Sequence, residues 1–94
     1  MTNTDKLETL NEAQHEASDR WFAARRAYVR AKRRAERIRE AELHKPGPTA
    51  GDWQRYYDGA VAEQNAALKA SDRELKRYLS AVDAFFAELD GPST

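Results

Sequence analysis

Lys45-Pro46-Gly47-Pro48-Thr49-Ala50-Gly51 is the stretch that decides the fold. It holds two of the chain's three prolines and two of its four glycines. Proline lacks a backbone donor and its ring clashes with the preceding turn, so no helix passes through the segment. On either side about forty residues run without a proline, and Gly59 is their only glycine. The reading is two helices of roughly residues 4–44 and 50–90 joined by a hinge at 45–51, all within one domain spanning 1–94. Asp5 with Glu8 has the spacing of a capping box at the first start, and Thr49 and Asp52 are N-cap candidates at the second. Asp90-Gly91-Pro92 reads as the final stop.

The apolar spacing supports long rods. Leu7, Gln14, Trp21, Tyr28, Ala35 and Glu42 recur every seven residues, with Leu10, Ala17, Ala24, Ala31 and Ile38 as a companion line. In the second helix the lines are Val61, Leu68, Leu75, Val82, Leu89 and Tyr57, Gln64, Ser71, Tyr78, Phe85. Such a heptad pattern marks a coiled-coil seam. The short connection makes the helices antiparallel, so the fold class is all-α, a long two-helix hairpin. Pairing residues whose numbers sum to 99 sets Ala17 against Val82, Ala24 against Leu75 and Ile38 against Val61. It also brings Arg25 near Asp72 and Arg39 near Asp58, and Tyr28 within hydrogen-bonding reach of Ser71. A register one heptad away, summing to 92, brings Arg20 near Glu74 instead.

A single seam leaves apolar residues uncovered. Phe22, Val29 and Leu43 lie off it in the first helix, as do Leu79 and Phe86 in the second, with Trp53 and Tyr56 near its start. The simplest cover is a second copy, giving a homodimeric four-helix bundle. Phe22, Val29, Leu79, Phe86 and Trp53 are the residues expected to carry self-association.

Composition narrows the function. Charged residues make up 34% of the chain and cysteine is absent, which excludes disulfides, thiolate metal sites and a cysteine nucleophile. No apolar run approaches the roughly 18 residues that span a bilayer, and the polar first ten residues do not read as a secretory signal. A cytoplasmic location with no membrane association is the expectation. Glu12-Ala13-Gln14-His15 has the Glu-x-x-His spacing of di-iron bundles, but with Gln14 on the seam Glu12 and His15 face outward. His44 reads as a helix-end cation that suits the dipole. No metal, no cofactor and no catalysis are expected: the serines have no neighbouring histidine, and the glycines sit in no phosphate-cradling loop.

What remains is charge. Residues 20–39 hold nine of the sixteen basic residues, Arg20, Arg25, Arg26, Arg30, Lys32, Arg33, Arg34, Arg37 and Arg39, against one acid, Glu36. Nine less one is +8 in a chain whose total is zero. Arginine dominates, and its planar fork matches carboxylate and phosphate in a bidentate way that lysine does not. Three uses compete: a solvated face, an interface with an acidic protein or the acidic stretch 5–19 of a second copy, and contact with nucleic-acid phosphates. The balanced charge and pI near 6.7 weigh against the last. The expected function is a non-catalytic interaction or adaptor module presenting Arg25, Arg26, Arg30, Arg33, Arg34 and Arg37 to an acidic partner. A small nucleic-acid-binding protein using the same side chains is the alternative.

The outline also resembles the small WXG-motif helical hairpins exported by type VII secretion systems. Trp53 opens the second helix, and Phe86-Ala87-Glu88-Leu89-Asp90 carries an aromatic and an acid at that family's C-terminal spacing. The resemblance implies an exported dimeric hairpin. The hinge departs from it, because Gly51-Asp52-Trp53-Gln54-Arg55 has no Trp-x-Gly, and the arginine density of the first helix is foreign to that outline.

Overall fold

A computed structural model of the chain describes residues 3–44 and 50–91, with side chains placed for 4–41 and 52–91. Two helices, α1 (Asn3–His44) and α2 (Ala50–Asp90), pack side by side as a hairpin. The rod measures 71 × 16 × 16 Å, as expected for helices of 42 and 41 residues rising about 1.5 Å each. No helix among the described residues is long and apolar enough to cross a membrane. The Pro-Gly connection, the proposed Thr49 cap, and the side chains of Glu42, Leu43 and His44 lie outside what is described.

α1 starts upstream of Asp5, and α2 starts upstream of Asp52, directly after Thr49. Asp5 and Asp52 lie inside first turns, where a carboxylate still suits the positive end of the helix dipole. Asp5 contributes its carbonyl, which accepts a 3.0 Å hydrogen bond from Thr9 Oγ1. At the far end the chain leaves the helix at Gly91, where a Cβ would stand 2.5 Å from the Ala87 carbonyl oxygen. Only glycine fits that close approach without a shift.

The seam of α1 is the one its heptads describe. Leu7, Leu10, Gln14, Ala17, Trp21, Ala24, Tyr28, Ala31 and Ile38 are half-buried and Ala35 is buried. The seam of α2 keeps Tyr57, Gln64, Ser71, Tyr78 and Phe85 but is turned relative to the sequence reading. Leu68 and Leu89 are 40% and 51% exposed, so neither is a seam residue. Ala60 is 2% exposed, and Ala67, Glu74, Ala81 and Glu88 follow it along the inner edge. Small side chains let the backbones approach closely, and close approach recovers more dispersion contact than a leucine held between distant helices. Val61, Leu75 and Val82 of the expected line stay half-buried, so packing against alanine turns α2 only far enough to leave Leu68 and Leu89 on the shoulder.

Cross-helix contacts fix the alignment. Trp21 stacks on Tyr78 with ring centroids 5.8 Å apart and planes within 7°, a pair on the 99 register. Trp53 Nε1 donates to the Ile38 carbonyl at 2.9 Å, and its ring stacks on Tyr57. Trp53 thus ties the hairpin to itself and is not held out for another chain. Arg34 pairs with Glu63 and Lys6 with Glu88, both at 3.1 Å. The ion pairs expected from the sequence do not form. Asp58 accepts from Gln54, Arg20 pairs with Glu16, and Glu74 pairs with Arg77. Each takes a partner one turn away on its own helix, which restricts fewer rotamers than reaching across. Tyr28 and Ser71 share no hydrogen bond, although Ser71 is buried.

Candidate functional site

The arginine stretch occupies the middle of α1, and all nine of its bases are exposed. Residues 26 and 33 are seven apart on the ridge farthest from α2, because a seven-residue step nearly closes two turns. Arg30 and Arg37 lie beside that ridge on one side. Phe22 and Val29 lie beside it on the other, with Arg25 next to them. Residues three, four and seven apart share a face, so these side chains converge. Phe22, Arg25, Arg26, Val29, Arg30 and Arg33 line an open depression of about 420 Å³. Its floor is apolar. Phe22 is 47% exposed, with its ring leaning on Trp21 at 5.0 Å.

Two members of the stretch are engaged. Arg34 Nη1 reaches both carboxylate oxygens of Glu63, at 3.1 and 3.4 Å, and Arg20 meets Glu16 at 3.5 Å. Arg25, Arg26, Arg30, Arg33 and Arg37 form no ion pair among the described residues. Arg34 is therefore separated from the other arginines read as a binding set, and belongs first to the hairpin.

The surrounding field does not cancel the block. The part of α2 lying alongside it, residues 60–79, carries three acids and four bases. The acids lie elsewhere: residues 5–19 have five acids and one base, and residues 80–90 have three acids and no base. The centres of the acidic and basic parts of α1 are about seventeen residues apart, roughly 25 Å at 1.5 Å per residue. That exceeds the Debye length of about 8 Å at physiological salt, so the acidic end leaves the basic middle electrostatically open.

The structure brings together residues that sequence reasoning had assigned to separate roles. Phe22 and Val29 belonged to self-association and Arg25, Arg26, Arg30 and Arg33 to partner binding, yet they line one depression. The spacing 22, 25, 26, 29, 30, 33 was a signal for it. Leu79 and Phe86 are 51% and 50% exposed, and Leu68 and Leu89 are 40% and 51% exposed. Glu12 and His15 are exposed while Gln14 lies in the seam, where its Oε1 is buried without a hydrogen-bond partner. The chain matches no family model, no curated protein and no solved structure.

Proposed function

We propose that the chain is a non-catalytic interaction module that presents the arginine face of α1 to an acidic protein surface. One observation carries the reading: an apolar floor of Phe22 and Val29 framed by Arg25, Arg26, Arg30 and Arg33, none of them ion-paired among the described residues. An apolar contact ringed by unpaired guanidinium groups suits a carboxylate-bearing protein partner, since arginine and aromatic side chains anchor such interfaces. Phosphate backbones need the charge and make no use of the floor.

The test compares two probes in one buffer of about 50 mM salt, where phosphate contacts are strong. A glutamate-rich peptide should bind, and Arg30→Glu with Arg37→Glu should weaken it at least tenfold. Arg→Lys at the same positions should already weaken it, because the bidentate fork is lost. Random duplex and single-stranded nucleic acid should bind less tightly than the peptide. Tighter binding to nucleic acid, falling steeply with added salt, would replace the proposal with the phosphate-binding alternative.

A further inference from the structure

The outermost line of α1 is acidic, then basic, then acidic again. Asp5, Glu12 and Asp19 are followed at the same seven-residue step by Arg26, Arg33 and Glu40. The midpoint between Asp19 and Arg26 falls between residues 22 and 23, and so does the midpoint between Glu12 and Arg33. Two pairs of opposite charge thus share one centre, and the exposed Phe22 ring stands beside it. Between residues 12 and 33 the line is complementary to itself: turned end for end about Phe22, it presents acid to base at both pairs and ring to ring at the centre, while the outer pair, Asp5 with Glu40, sets acid against acid at the ends of the contact. Closed two-fold dimers impose this reciprocity, residue i meeting j and j meeting i.

We propose that the acidic partner of Arg26 and Arg33 is a second copy of the chain, packed α1 against α1 about a two-fold axis at the level of Phe22. Asp19 and Glu12 of each copy meet Arg26 and Arg33 of the other. Phe22 packs beside Phe22 of the other copy, and α1 runs antiparallel to its mate. Arg30 and Arg37 stay outside the contact, available to a further acidic surface. This rests on the reading that the arginine face takes acidic protein groups, and it names which acids take two of its members.

A charge-exchange experiment tests the pairing on the full chain, with light-scattering mass as the readout. The wild type should have twice the 10.7 kDa chain mass at about 50 mM salt, where surface charges act over more than 10 Å. Arg26→Glu with Arg33→Glu should give single chains, and so should Glu12→Lys with Asp19→Lys. Mixing those two variants should restore the double mass as a heterodimer, because every contact is again opposite in sign. All four positions are exposed, so unchanged helical circular dichroism confirms that the single-chain mass is not unfolding. A wild type of single-chain mass at about 50 µM would overturn the proposal, as would a dimer indifferent to both variants or a mixture that stays monomeric. The glutamate-peptide titration separates this failure from that of the functional reading. Peptide binding lost in Arg30→Glu/Arg37→Glu but undisturbed when the chain proves monomeric leaves the functional reading intact.

Discussion

Gly59 and Ala60 are neighbours on α2, and the structure assigns substitutions there opposite signs. Gly59 lies on the open face: a Cβ built on it meets no atom within 4 Å. Gly59→Ala therefore adds no clash and removes backbone freedom from the unfolded chain, stabilising by about 0.5–1 kcal/mol. Ala60 is 2% exposed and sits where α2 comes closest to α1. Ala60→Leu must push the helices apart or adopt a strained rotamer, costing about 1–3 kcal/mol. For a domain of this size each kcal/mol moves the melting temperature by about 4–8 °C. Gly59→Ala should thus melt roughly 2–8 °C higher, and Ala60→Leu at least about 4 °C lower. Thermal melts followed by circular dichroism at one fixed protein concentration read both, since association would shift either midpoint by mass action. An Ala60→Leu melt equal to or above wild type would refute the turned seam. A lowered Gly59→Ala melt would refute the open face.

Trp53→Phe keeps the ring but loses the 2.9 Å bond to the Ile38 carbonyl, and should cost about 0.5–1.5 kcal/mol in denaturant unfolding. No loss would mean the indole bond is replaced by water at no cost. Lys6→Ala removes the partner of Glu88, whose side chain is only 14% exposed, but Lys6 itself is 60% exposed. The expected cost is below about 1 kcal/mol and should shrink further at high salt; a larger, salt-independent loss would point to packing by the lysine stem. Arg34→Ala should leave glutamate-peptide affinity within about twofold while Arg30→Ala with Arg37→Ala lowers it, because Arg34 is already held by Glu63. Equal losses from both would return Arg34 to the binding set.

The two rods and their antiparallel order were legible from Pro46, Pro48 and the heptads, because proline and seven-residue periodicity act locally. The rotation of α2 was not. Val61, Leu68, Leu75, Val82 and Leu89 form a cleaner apolar line than Ala60, Ala67, Glu74, Ala81 and Glu88, and transfer energy alone selects the leucines. Helix packing depends also on how closely two backbones can approach, a property of facing pairs and not of one strip. Glu74 and Glu88 join the inner edge with carboxylates that reach Arg77 and Lys6 at its rim, although Glu74 Oε2 is buried without a hydrogen-bond partner.

The site was legible as charge and illegible as an arrangement. Counting gave +8 over residues 20–39 but not the open apolar floor among the arginines, which depends on Phe22 being left outside the seam while Trp21 enters it. The distribution of charge along the rod carries the stronger argument. If the basic block existed only to keep the hairpin soluble, nearby acids on α2 would serve folding better, and residues 60–79 hold three acids against four bases. Compensating acids stand instead toward the open end, in residues 5–19 and 80–90. One hairpin joins only the near edge of that region to the block, through Glu16 and Arg20, because its helices hold the rest at different levels of a 71 Å rod. A second rod laid antiparallel can bring acids and block together, and an external acidic surface can do so for the basic half alone. On the proposed reading the charge is balanced between molecules, and the arginine face is covered by acids of another chain.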